Sequence, residues 1–106
     1  MNIEEIRDYC LAKEGADEAL PFDDDTLVFR VNKKIFLLVS LNNPSTINLK
    51  CNPEKAVELR EHFSEITPGY HMNKLHWNTV ALDGTLSSSM IKEMIDHSYQ
   101  LVRGKR

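Results

Sequence analysis

Leu27-Val28-Phe29-Arg30-Val31-Asn32-Lys33-Lys34-Ile35-Phe36-Leu37-Leu38-Val39 reads as two strands folded back on each other. The first half alternates, with Leu27, Phe29 and Val31 on one side, as a half-buried strand requires. Asn32-Lys33 supplies a two-residue turn, because asparagine tolerates the positive φ that such hairpins demand. Lys34 to Val39 is an apolar run bounded by turns, which marks a central strand. Two strands joined by so short a turn run antiparallel, and that decides the class of sheet.

Working downstream, Asn42-Asn43-Pro44-Ser45 is a loop, and Thr46 to Cys51 alternates cleanly. Ile47, Leu49 and Cys51 then face inward, with Asn48 and Lys50 outward. Asn52-Pro53 is a cap followed by proline at the first helical position, opening a short helix with Ala56, Leu59 and Phe63 toward the core. Ile66 to Tyr70 is a brief extended piece broken by Pro68-Gly69, and His76 to Leu82 is a strand ended by Asp83-Gly84. Ser87-Ser88-Ser89 caps a last helix, with Ile91, Ile95, Ser98 and Val102 on one stripe, Met94 and Leu101 beside it, and Gly104 at its end. Upstream, Asn2 and Glu5 form a capping-box pattern that starts a helix at Ile3, with Ile6 and Cys10 inward and Gly15 as its stop. A polar connector with Pro21 and Asp23-Asp24-Asp25 follows. The expected order is α-β-β-β-α-β-β-α, an α+β domain over residues 1–106 with an antiparallel sheet of about five strands and helices on one face.

At 106 residues, 42% hydrophobic and 27% charged, the chain has the composition of one globular domain. Cys10 and Cys51 stand alone in apolar surroundings and read as buried free thiols. The acidic start Met1-Asn2-Ile3-Glu4-Glu5 lacks the apolar core of a secretory signal, and no segment approaches the ~18 apolar residues of a membrane span. The expected setting is bacterial and cytoplasmic, for a monomer away from membranes. A net charge of −3 excludes a strongly basic nucleic-acid binder, but the sum hides an uneven distribution. Up to Asp25 the chain is acidic; from Leu27 onward Arg30, Lys33, Lys34, Lys50, Lys74 and the closing Arg103-Gly104-Lys105-Arg106 supply a basic excess.

No catalytic constellation is recognisable. His71 and His76 are five apart without a Cys or carboxylate at ligand spacing, so no metal site is assigned. Both cysteines sit on apolar stripes, away from the electropositive, accessible settings that activate thiols. No glycine-rich phosphate loop exists, and Asp23 to Asp25 reads as a solvated connector. The expectation is therefore a non-enzymatic protein without a cofactor. What remains is Pro68-Gly69-Tyr70-His71-Met72-Asn73-Lys74-Leu75-His76-Trp77-Asn78-Thr79, a concentration of polar and aromatic residues with two readings. Pro68-Gly69 turning the chain, Tyr70 and Trp77 burying rings, and His71 and Asn73 tying down backbone groups make a structural brace. His71, Asn73, Lys74 and Trp77 pointing outward together make a binding surface.

These residues resemble the signature of the MmcQ/YjbR family. Pro68-Gly69-Tyr70-His71, Asn73-Lys74 and His76-Trp77 carry the likeness, with Lys34-Ile35-Phe36, Asn48-Leu49-Lys50-Cys51 and Ser98-Tyr99-Gln100-Leu101-Val102 in family order. The resemblance implies a fold like bacterial frataxin, CyaY, and a "double wing" of β-hairpins that binds DNA. On that reading Lys33, Lys34, Lys50 and Lys74 meet phosphates, with His71, Asn73 and Trp77 nearby. The alternative is an adaptor that takes a protein or small ligand on the His71, Asn73 and Trp77 surface. A weaker third idea, also drawn from the frataxin-like fold, gives Glu4, Glu5 and Asp8 a loosely held hard cation. Asn32 stands in the hairpin turn where the family often has glycine.

Overall fold

The computed structural model of the chain describes residues 1–69 and 72–104. Helix α1 (Ile3–Leu11) is followed by four strands in succession, β1 (Ala16–Ala19), β2 (Thr26–Val31), β3 (Lys34–Ser40) and β4 (Thr46–Lys50). Helix α2 (Pro53–His62) leads to β5 (Ile66–Pro68) and β6 (Trp77–Ala81), and helix α3 (Ser88–Arg103) follows. The strands form one sheet in the order β1-β2-β3-β4-β6-β5, with every neighbouring pair antiparallel. The α+β class expected from the hairpin holds, with six strands in place of about five.

The extra strand lies in what read as the polar connector. Ala16-Asp17-Glu18-Ala19 has little intrinsic strand preference. It is held at the sheet edge by distant charges: Arg30 grips Asp17 at 2.9 Å across the ladder, and Arg7 of α1 grips Glu18 at 2.6 Å. The chain needs a turn to reach that edge, so α1 stops at Leu11 rather than Gly15, and Gly15 takes φ +75 in the turn. That turn is pinned to α3, where Asp96 takes Lys13 and the Tyr99 hydroxyl donates to the Glu14 carbonyl.

The β2–β3 hairpin has the predicted two-residue turn, with Asn32 at φ 53 and Lys33 at φ 66. The register then shifts: Phe29 pairs Leu37 but Arg30 pairs Ile35, so Phe36 is the extra residue of a bulge. Phe36 and Leu37 are both fully buried as a result, which simple alternation forbids. The Phe36 carbonyl accepts from the Ser98 hydroxyl at 2.5 Å, and Ser98 Oγ accepts from Lys50 N at 2.9 Å. One buried serine therefore clips α3 to two central strands. Tyr99 packs edge-on against Phe36 at 5.4 Å, while Leu101, expected beside the stripe, is turned to solvent.

A single core fills the space between sheet and helices. Ile6 and Cys10 come from α1, Ile91, Ile95 and Val102 from α3, and Phe29, Leu37, Ile47, Leu49 and Val80 from the sheet; Leu59 of α2 packs against them. All three helices thus lie on one face. Truncating a fully buried member such as Ile95 to alanine costs roughly 2–5 kcal/mol. The other face carries a cross-strand row of Val28, Leu38, Asn48 and Thr79, in which the Thr79 hydroxyl donates to Asn48 Oδ1 at 2.6 Å.

Candidate functional site

β6 is where the two readings of the signature segment meet. It pairs with β4 so that Lys50 faces Trp77, Leu49 faces Asn78 and Asn48 faces Thr79. Alternation therefore turns Trp77 and Thr79 to the helix-free face and Asn78 and Val80 to the core. Before the strand, Asn73 Oδ1 accepts from Leu75 N at 2.9 Å, while its carbonyl takes His76 N and Trp77 N. Gly69 N donates to the Trp77 carbonyl at 2.9 Å, and a Cβ on Gly69 would come within 2.9 Å of Trp77 Cβ. Only glycine lets β5 leave the sheet so close to the tryptophan. Asn73 and Gly69 thus serve the brace, Lys74 is exposed, and Trp77 is half-buried. Tyr70 and His71, the latter an expected contact residue, lie outside the described residues.

The brace has a member that sequence reading missed. Arg60, on the last turn of α2, donates Nε–H to Asn78 Oδ1 at 2.7 Å and reaches the carbonyls of Trp77 (3.3 Å) and Lys74 with Nη2. In the sequence it is a basic residue near a helix C-terminus, with nothing to show that it spans to β6. Asn78 did leave a signal: it is an amide on the inward register of an apolar strand. Its Nδ2 is buried and has no hydrogen-bond partner among the described residues. A buried donor left unmade costs about 1–3 kcal/mol.

The lysines follow from strand direction. β3 begins where β4 ends, and β4 ends where β6 begins. Lys33 and Lys34 at the hairpin tip, Lys50 at the end of β4 and Lys74 just before β6 therefore share one end of the sheet. None of these four joins an ion pair among the described residues. Other cations are committed: Arg7 to Glu18, Arg30 to Asp17 and Lys13 to Asp96. Hydrogen bonds from Arg30 and Arg7 hold the Asp17 and Glu18 carboxyls below their ordinary range.

The opposite end of the sheet is acidic. Asp23 Oδ1 accepts from the backbone of Thr26 (2.6 Å) and Asp25 (2.9 Å), and these bonds lower its pKa. Asp25 takes the Ser40 hydroxyl at 2.6 Å and Asn42 N at 2.7 Å, fastening the loop after β3. Among the described residues no three His, Cys, Asp or Glu groups gather as a metal cage, Glu4, Glu5 and Asp8 of α1 included. Burial pushes the Cys10 thiol up to about 12 and raises that of Cys51, so both are protonated at neutral pH. No helix in the described residues is long and apolar enough to cross a membrane.

Comparison with known proteins places these features in a family. The YjbR family model matches residues 11–101. An uncharacterised Escherichia coli K12 protein, YjbR, is 40% identical over 101 residues, covering 94% of this chain and 86% of that protein. The crystal structure of the Deinococcus radiodurans protein DR2400, of domain family DUF419, superposes with a TM-score of 0.91 at 39% identity, over 98% of this chain and 80% of that one. A Pseudomonas syringae protein superposes at 0.81 with 35% identity, over 97% and 100%.

Proposed function

The chain belongs to the YjbR family, and from that premise we propose that it is a non-enzymatic domain that binds DNA weakly through the basic end of its sheet. One observation carries the reading: Lys33, Lys34, Lys50 and Lys74 share that end and are uncommitted to any carboxylate among the described residues. The β2–β3 hairpin acts as a wing whose tip presents Lys33 and Lys34 to phosphates. Lys50, cross-strand from half-buried Trp77, sets a cation beside an aromatic surface on the helix-free face.

Neutralising about four phosphates gives a salt slope near −3.6, or roughly a hundredfold loss of affinity between 50 and 200 mM salt. Fluorescence anisotropy of a labelled duplex across that range tests it. No binding at 50 mM salt, or binding indifferent to Lys→Ala at positions 33, 50 and 74, overturns the proposal.

An adaptor role, on a surface other than that of His71, Asn73 and Trp77, has one observation in its favour. A depression of about 350 Å³ on the helix-free face is lined by Phe22, Leu38 and Met72, and Phe22 is 65% exposed. A ligand seated there would report through Phe22→Ala and would be insensitive to salt.

A further inference from the structure

On the helix side of the sheet, the cleft between α2 and α3 encloses a cavity of about 60 Å³. We propose that this cleft binds a small, uncharged, largely apolar molecule that presents a carbonyl-type acceptor to Asn78. Lys50 borders the cavity, so the site adjoins the basic end, but it stands whether or not the protein binds DNA. Its walls are Leu49, Leu59, Val80, Met90 and Met94, and Asn78 is the polar group within them that is both buried and unpartnered.

The orientation of the Asn78 amide is fixed by chemistry. A guanidinium can only donate, so the atom 2.7 Å from Arg60 Nε must be the amide oxygen. The NH₂ is what Asn78 has left to offer, and it requires an acceptor. As the side chains stand, Nδ2 is closed to any atom of water size, so a guest's oxygen reaches it only when the cleft wall yields. Met90 and Met94 line the cleft, and their unbranched side chains can shift to admit a guest.

The surroundings select an uncharged guest. A carboxylate at this depth would meet a single neutral donor, too little to offset its desolvation. Lys55 and Glu93, both exposed at the mouth, oppose each other in sign, and Lys50 adds one positive charge at the rim. His97 is held toward its neutral form by burial and by Lys55, and its Nε2 already accepts from Asn52 N at 3.1 Å. Cys51 is a protonated thiol and offers no nucleophile. About 60 Å³ is several times the roughly 10–15 Å³ that one water needs, so part of a five-membered ring fits with the rest in the mouth.

The test uses cyclopentanone, a neutral cyclic ketone, titrated into the ¹⁵N-labelled full chain. The Asn78 side-chain NH₂ resonances are expected to move downfield and saturate, with a dissociation constant in the millimolar range. Asn78→Asp keeps an oxygen for Arg60 but puts a charged acceptor where the donor was, which repels a guest carbonyl; it should weaken binding by at least about tenfold, the worth of one hydrogen bond. Leu59→Phe fills the cleft from its wall and should abolish the shift. The wild-type resonances need no variant to fold. A shift that never saturates, Asn78 resonances that stay still, or an Asn78→Asp chain that binds as tightly as wild type each overturns the site.

Discussion

The two ends of the sheet hold charge in opposite ways. At the acidic end Asp23 and Asp25 are committed: Asp23 closes the turn into β2, and Asp25 ties β3 to the loop that follows it. At the basic end Lys33, Lys34, Lys50 and Lys74 have no such partners among the described residues. Arg60, beside Lys74, shows what a committed cation looks like, with two backbone carbonyls and a buried amide in its grasp. Charges that hold the fold together explain themselves. The charge left over at the basic end is positive against a net charge of −3, and the proposed DNA binding rests on that contrast.

That contrast makes a graded set of expectations for stability, measured by urea denaturation of single variants. Arg60→Met should cost most, about 3 kcal/mol, because it leaves the Asn78 oxygen and two carbonyls without a charged donor. A loss below about 1 kcal/mol would mean the arginine is not a brace. Asp25→Ala should cost about 2 kcal/mol for two charge-assisted hydrogen bonds, with DNA affinity unchanged or slightly raised. A drop in affinity from this variant would erase the distinction between the two ends.

His97 gives a smaller, pH-dependent effect. Its folded pKa is lowered by burial and by Lys55, so the unfolded chain takes up the proton more readily. Its contribution is complete above about pH 6.5, the unfolded value, and is lost as pH falls through the lower folded value. Because protonated Nε2 can no longer accept from Asn52 N, the N-terminus of α2 loosens in the same window. The wild type should lose more stability than His97→Gln between pH 7 and pH 5. Equal losses would remove histidine as the cause. Smallest of all, Lys33→Ala, Lys34→Ala and Lys74→Ala should each change stability by less than about 0.5 kcal/mol while together weakening DNA binding. A larger stability loss would put these lysines among the committed charges.

The signature segment shows how far sequence reading reached. Its residue types announced that something happens between Pro68 and Trp77, and the answer is divided along the chain. Gly69 and Asn73 are structural, Lys74 is exposed, Trp77 is shared between sheet and solvent, and His71 falls outside the described residues. Arg60 was illegible because its partners are 14 to 18 residues away, and only the packing of α2 on the sheet brings them within reach. β1 was hidden for the same reason, since its Asp17 and Glu18 are held by Arg30 and Arg7 from other elements.

The sequence by itself determined the α+β class, the antiparallel hairpin and its turn, the caps of α1, α2 and α3, and most of the core. Each of these rests on local pattern: alternation, helical spacing, or a capping residue next to the groups it satisfies. Only the tertiary structure decided the sixth strand, the bulge at Phe36, the Arg60–Asn78 brace with its unpartnered amide, and the gathering of four lysines at one end. Those depend on strand order and register, and distances across a sheet are set by how the strands pair rather than by separation along the chain.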